Sequence, residues 1–323
     1  MTDNKSIPIL IVGRLHDHAV GRIEREFTAV KLERPDPAAA RELAGIRGIA
    51  AMTTISAELI DALPDLEIIA NFGVGYDAVD AKHAGRRGIM VTNTPDVLTE
   101  EVADTAIGLL LNTVRELPKA EAWLRAGNWV SKGNYPHTST TLRGRKAGIF
   151  GMGRIGQAVA RRLEAFGVPV SYHNRRPVEG SPYQWHETLF GLARSVDTLI
   201  SVAPGGASTE KAVNMEVLKA LGPDGVFINI GRGSTVDEDA LAQALADGTI
   251  RAAGLDVFRD EPNVPQALLD LPNTSLLPHV GSASVHTRTA MADLVVDNLA
   301  SWFGTGHAMT PVPETVEAKP KKR

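Results

Sequence analysis

The 323-residue chain has no cysteine. Disulfides, thiolate nucleophiles, cysteine-ligated zinc and iron–sulfur clusters are excluded together. It also lacks any apolar run of the ~18 residues that a membrane span needs, so no membrane partner is expected. An excess of one charge is missing as well. Lys and Arg number 34 against 38 Asp and Glu, a net −4, and nothing in that balance points to nucleic acid or to an anionic membrane. The histidines show no ligand spacing such as His-Glu-x-x-His, so no metal is expected. The start, Met1-Thr2-Asp3-Asn4-Lys5, leads directly into a strand-like run and is expected not to be a secretory leader. Together these absences predict a cytoplasmic globular protein, and 323 residues at about 150 per domain predict two domains.

Short apolar, β-rich runs alternate with helical patterns along the chain, which predicts an α/β architecture with parallel sheets. The strands expected first are Ile7–Val12, Ile49–Met52, Ile68–Asn71 and Met90–Thr92, with helices at Ala38–Leu43 and Ala57–Leu63 between them. A long helix is expected from Thr99 to Leu117, capped by Thr99, with Glu100 and Glu101 favoured in its first turn by the helix dipole. A second series follows, with strands at Ala147–Phe150, Val170–His173, Thr198–Ser201, Val226–Asn229, Ala252–Leu255 and Thr274–Leu277. Six strands in that rhythm suit a dinucleotide-binding fold. A last helix is expected over Ser284–Phe303, before Gly304-Thr305-Gly306. The end, from Pro311, carries three prolines and the basic Lys319, Lys321, Lys322 and Arg323, and reads as a frayed tail rather than a nucleic-acid arm.

The strand Ala147–Phe150 runs straight into Gly151-Met152-Gly153-Arg154-Ile155-Gly156 and then a helical pattern. In that context Gly151 permits a tight turn, Gly153 lets a pyrophosphate approach the backbone, and Gly156 lets helix and strand pack closely. The helix N-terminus supplies N–H donors and positive dipole. A site for NAD usually offers a carboxylate to the ribose 2′-hydroxyl about 20 residues further on. Here the chain reads His173-Asn174-Arg175-Arg176-Pro177. Without the carboxylate, and with Asn174 as a donor and two arginines to pair with a phosphate, the expected cofactor is NADP(H).

Three polar residues stand near later strand ends: Arg232 in Ile230-Gly231-Arg232-Gly233, Glu261 before Pro262, and His279 in Pro278-His279-Val280-Gly281. Taken singly they fit a helix-flanking charge, a turn residue and a satisfied core histidine. Taken together behind a cofactor turn they suit hydride chemistry on a 2-keto acid. Arginine can bind the carboxylate and polarise the keto oxygen, histidine can protonate the developing alkoxide, and a carboxylate can orient the imidazole and stabilise its charged form.

These motifs resemble the D-isomer-specific 2-hydroxyacid dehydrogenase family, over roughly residues 45 to 310. The resemblance implies Arg232, His279 and Glu261 as substrate arginine, general acid/base and partner. It implies that Asn71-Phe72-Gly73-Val74-Gly75-Tyr76-Asp77 forms a loop whose Val74 and Gly75 amides hold the substrate carboxylate, with Asp77 and Asp80 as structural caps. It further implies that Asp256 lies by the nicotinamide carboxamide, that Ala203, Pro204, Ile230, Gly231 and Gly281 line the cofactor, and that Thr209 stands near its phosphates. The implied architecture is two Rossmann-like, doubly wound parallel-sheet domains, with a cofactor domain, residues 99–287, inserted into a substrate domain, residues 1–98 plus 288–323. A homodimer is implied, in which the segment Trp123 to His137 reaches toward the neighbour and places Trp129 or Tyr135 near its active site. Within the family, the Asn-Arg-Arg end of the second strand is similar to the NADP-dependent glyoxylate/hydroxypyruvate reductases. Hydroxyphenylpyruvate and 2-ketogluconate reductases remain alternatives, as does a non-catalytic dinucleotide sensor. The small and polar Met52-Thr53-Thr54, with no aromatic wall, favours a small or polar keto acid.

Overall fold

Strands that are buried on both faces need short, β-rich apolar runs, and each such run in the sequence becomes a strand. The computed structural model describes residues 4–321. These fall into two units, one holding the residues up to Leu98 together with those from Ser284 onward, the other Thr99–Ala283.

The first unit carries the strands β1 (Pro8–Val12), β2 (Thr28–Leu32), β3 (Gly48–Ala51), β4 (Ile68–Asn71) and β5 (Met90–Thr92). They form one parallel sheet in the order β2-β1-β3-β4-β5. The helices between them are α1 (Asp17–Glu26), α2 (Pro37–Arg41), α3 (Ala57–Asp61) and α4 (Ala81–Arg86). Leu10, Ile49, Ile69 and Val91 from four strands share a core with Leu59 and Ile60 of α3. The strand order reverses between β1 and β3, so their carboxyl ends border the crevice of this sheet.

The second unit opens with α5 (Thr99–Arg115), α6 (Leu117–Arg125) and α7 (Asn128–Lys132). It continues through β6 (Ala147–Phe150), α8 (Arg154–Ala165), β7 (Val170–His173), β8 (Gln184–His186), α9 (Leu189–Ser195), β9 (Thr198–Ser201) and α10 (Met215–Leu221). Then come β10 (Val226–Asn229), α11 (Glu238–Ala246), β11 (Ala252–Leu255), α12 (Gln266–Leu269) and β12 (Thr274–Leu276). Seven parallel strands run β12-β11-β10-β9-β6-β7-β8, with the switch point between β6 and β9. The chain then returns to the first unit in α13 (Val285–Thr305). Ser284 caps that helix by accepting from Thr287 N, so the crossing lies at 283/284 rather than at 287/288. Gly306 ends it in the left-handed conformation, and Gly304 lies inside the helix instead of after it.

The two-sheet α/β fold is the one the alternating pattern predicts, with three departures. β2 and β8 escaped the sequence reading because both are edge strands, short and partly polar, so neither shows a continuous apolar run. The expected Thr99–Leu117 helix stops at Arg115, since Pro118 has no N–H to return to Val114 O. Thr140 Oγ1 donates to that carbonyl instead. Thr99 is itself the first helical residue, not the cap ahead of it. The tail is packed, not frayed, as far as it is described. Val312 N bonds Val91 O at 2.9 Å, buried Thr315 Oγ1 accepts from Val91 N at 3.0 Å, and Lys321 N reaches the buried Glu67 carboxylate at 3.2 Å. Val312 and Thr315 close the free edge of β5 through Val91. Lys322 and Arg323 lie outside the described residues.

Candidate active site

Every candidate of the second unit lies at or just beyond a carboxyl strand end. Gly151 follows β6 at φ 105°, and a Cβ there would stand 2.9 Å from Ala203 N, so no other residue fits this turn. A Cβ on Gly156 would meet Gly151 O at 2.2 Å, which keeps α8 tight against the turn. Gly153, by contrast, faces open space and begins α8 with no side-chain cap. Uncapped N–H groups behind an open glycine suit a pyrophosphate. Arg154 and Ile155 supply the first helical turn, and Met152 is buried beneath it.

Asn174, after β7, is half-buried, and its Oδ1 accepts the N–H of Met152 at 2.7 Å. The carbonyl of Asn174 is held from the other side by Trp185 Nε1 at 3.0 Å. With Oδ1 committed, the Nδ2 donors remain for a ligand, beside the exposed Arg175 and Arg176. No carboxylate stands at this strand end, and the residues present fit NADP(H). After β9, Ala203 is buried and Pro204 exposed, while Thr209 Oγ1 donates to Pro204 O at 2.7 Å and so closes the turn.

The turn after β10 is built around Asn229, which is fully buried and which the sequence reading missed. Its Oδ1 accepts from Gly231 N at 3.1 Å and its Nδ2 donates to Arg232 O at 2.9 Å. Thr235 Oγ1 adds a second donor to Arg232 O. Gly231 packs against Ala203 O, where a Cβ would come to 2.6 Å, and Ile230 is buried beside it. A Cβ on Gly233 would stand 1.9 Å from the carbonyl carbon of Phe258. The Arg232 turn and the Phe258–Glu261 loop are thereby held together.

Glu261 Oε1 accepts from Phe258 N at 2.9 Å, and its Oε2 meets His279 Nδ1 at 2.6 Å. Burial opposes the charge on Glu261, but the hydrogen bonds from His279 and Phe258, with the charge of Arg232 nearby, hold its carboxyl below the usual carboxylate range. Asp256 is 1% exposed, and burial pushes its carboxyl up against the pull of two backbone N–H groups. Those are Val280 N on Oδ1, 2.7 Å, and Gly281 N on Oδ2, 2.8 Å. Asp256 O also accepts from His279 N. Both carboxylate oxygens thus grip the turn that carries His279, which sits in the left-handed region at φ 52°.

In the first unit, Val74 and Gly75 lie in the turn after β4, and Met52-Thr53-Thr54 follows β3. Asp80 caps α4, accepting from His83 N at 2.9 Å. The α6–α7 segment of the second unit exposes Leu117, Leu124, Trp129 and Val130. Within that segment Trp123 and Tyr135 make an edge contact, and the Tyr135 hydroxyl bonds Glu116. Among the described residues no group of three histidine or acidic side chains could hold a metal ion.

Comparison with known proteins matches this arrangement. The family described as D-isomer specific 2-hydroxyacid dehydrogenase, NAD binding domain, matches residues 107–281. An NADPH-dependent glyoxylate/hydroxypyruvate reductase from Sinorhizobium meliloti, solved with NADP and malonate, superposes with a TM-score of 0.96. It is 59% identical and covers 98% of this chain and 99% of its own. Glyoxylate/hydroxypyruvate reductase A of Arabidopsis thaliana is 42% identical over 95% of this chain and 99% of its own length. A hydroxyphenylpyruvate reductase of Plectranthus scutellarioides is 49% identical over 79% of this chain and 81% of its own. The likeness thus extends beyond the dinucleotide turn to nearly the whole chain, and the protein belongs to the D-isomer specific 2-hydroxyacid dehydrogenase family.

Proposed function

We propose that this protein uses NADPH to reduce a small 2-keto acid, glyoxylate or hydroxypyruvate, to the D-2-hydroxy acid. The observation that carries the reading is the 2.6 Å bond between His279 Nδ1 and Glu261 Oε2. A carboxylate on Nδ1 orients the ring and leaves Nε2 for the substrate. NADPH, when bound, supplies the hydride to C2. His279 gives its Nε2 proton to the keto oxygen, which becomes the hydroxyl, and the neutral ring then takes a proton from water. Arg232 holds the substrate carboxylate and polarises the keto oxygen. The amides of Val74 and Gly75, in the first unit, are proposed for substrate binding.

The cofactor is assigned to Gly151–Gly156, with Asn174, Arg175 and Arg176 at the 2′-phosphate. Ala203, Pro204, Thr209, Ile230, Gly231, Asp256 and Gly281 are assigned to its remaining length, Asp256 through the turn it holds. The NADP bound to the S. meliloti relative supports this choice. Its malonate supports a small substrate, and Thr53 and Thr54 after β3 a polar one. A second copy of the chain is the proposed partner, with the exposed apolar residues of α6 and α7 as the contact.

The test is steady-state kinetics on His279→Ala and Arg232→Ala with hydroxypyruvate and NADPH. His279→Ala is expected to lower kcat on the order of a thousandfold with little change in KM, and Arg232→Ala to damage both. A His279→Ala enzyme that keeps its kcat contradicts the reading. Tight NADPH binding without turnover of any 2-keto acid, including 2-ketogluconate and hydroxyphenylpyruvate, would instead indicate a dinucleotide sensor.

A further inference from the structure

The turn after β4 has three successive carbonyls tied down by side-chain amides of its own unit. Asn71 Nδ2 donates to Gly73 O at 3.1 Å and to Gly75 O at 3.0 Å. Asn93 Nδ2, from the segment after β5, donates to Val74 O at 2.7 Å. The backbone N–H of Thr94 is a second donor to Gly73 O, at 3.0 Å. Asn71 is 6% exposed and Asn93 half-buried, so water competes weakly for these bonds. Gly73 leaves room for the arrangement, since a Cβ there would stand 3.3 Å from Gly75 O and 3.5 Å from Asn71 Nδ2.

In a planar trans peptide the C=O and the next N–H point opposite ways. Fixing the carbonyls of Gly73 and Gly75 toward Asn71 turns the N–H groups of Val74 and Tyr76 away from it. Fixing that of Val74 toward Asn93 does the same for Gly75 N–H. The carbonyls of Gly73, Val74 and Gly75 are taken by Asn71, Asn93 and Thr94, so they do not take up the N–H groups of Val74, Gly75 and Tyr76. The N–H groups of Val74, Gly75 and Tyr76 indeed donate to no acceptor among the described residues. Backbone donors left in a short turn make an anion-binding concavity.

We infer that Asn71 and Asn93 are positioning residues for substrate binding, holding the turn so that the Val74 and Gly75 amides are ready for the carboxylate of the 2-keto acid. This rests on the proposed function and deepens it. Neither asparagine touches the reacting atoms, so both act on how tightly the carboxylate is held in ground and transition state alike. That effect falls on KM and leaves kcat nearly unchanged.

The test is reduction of glyoxylate and hydroxypyruvate by the full chain at saturating NADPH, with malonate as a non-reacting carboxylate probe. Asn71→Ala and Asn93→Ala are expected to raise the keto-acid KM about tenfold and to weaken malonate inhibition in proportion, with kcat and the NADPH KM within about twofold. Asn71→Asp has the same volume but cannot donate to the two carbonyls, and it should behave as Asn71→Ala does. It keeps the inference testable should the alanine variant lose its fold. Unchanged keto-acid KM in folded Asn71→Asp and Asn93→Ala overturns the inference. So does an equal rise in the NADPH KM, which general loosening would give. If Arg232→Ala raises the keto-acid KM while the asparagine variants do not, this inference alone fails. A wild-type protein that reduces neither keto acid contradicts the proposed function and this inference with it.

Discussion

His279 stands in the left-handed region at φ 52°, a conformation that costs a non-glycine residue about 1–2 kcal/mol. The cost is offset by Asp256, whose carbonyl and two carboxylate oxygens take the N–H groups of three successive residues, His279, Val280 and Gly281. Asp256→Asn turns one acceptor into a donor facing an N–H, and a buried unsatisfied group costs about 1–3 kcal/mol. We expect kcat to fall about tenfold or more and Tm to drop, measured by kinetics and calorimetry on the same preparation. Glu261→Gln keeps the shape of the pair but removes the carboxylate oxygen that holds His279 Nδ1, so kcat should fall about tenfold or more with little change in the NADPH KM. An unchanged kcat breaks the assignment of the pair. Stability follows with a definite sign. The Glu261 carboxyl is more acidic folded than unfolded, so its contribution is present above the unfolded carboxylate range and is lost as pH falls through its folded value. The Tm gap between wild type and Glu261→Gln should therefore be open at neutral pH and close in acid. The sequence puts Arg232, Glu261 and His279 forward because each is a reactive type beyond a strand end. Asp256 follows β11 directly, but its hold on the turn of His279 runs through backbone more than twenty residues away and leaves no local signal. Asn229 works through hydrogen bonds to nearby backbone.

Among the elements, legibility followed burial. β6, β7, β9, β10 and β11 lie where their apolar runs predict, and four of those five strands are buried at every residue. β2 and β8 pair on one side only and hold only exposed and half-buried residues, so composition does not announce them. β8 matters nonetheless, because its Trp185 fixes the carbonyl of Asn174. Asn174→Asp still accepts from Met152 N but sets a second, charged oxygen toward the 2′-position. The NADPH/NADH ratio of kcat/KM should fall about tenfold or more, and an unchanged ratio would overturn the cofactor assignment. The tail was misread because three prolines and a basic finish look disordered by composition alone. Its anchors are single residues. Removing the buried Thr315 hydroxyl, which accepts from Val91 N, by Thr315→Ala should cost about 1–3 kcal/mol, read as a lower Tm in thermal unfolding.

For the whole molecule, the chain forms two parallel sheets of five and seven strands. The residues proposed for the cofactor and for proton transfer belong to the seven-stranded unit, and the Val74–Gly75 turn belongs to the five-stranded one. Apolar surface left on α6 and α7, with Val130 96% and Trp129 59% exposed, is the basis for expecting a homodimer. Sedimentation should give twice the chain mass, and Val130→Asp should shift it toward the monomer. A wild-type monomer would rule out a second copy as the partner. The proposed reaction is tested first by the initial rate of nicotinamide oxidation with glyoxylate and with hydroxypyruvate, each supplied with NADPH and with NADH. Turnover of at least one of the two keto acids is expected, faster with NADPH. Faster turnover with NADH would contradict the role of Asn174–Arg176, and no turnover with either coenzyme would contradict the proposed reaction itself.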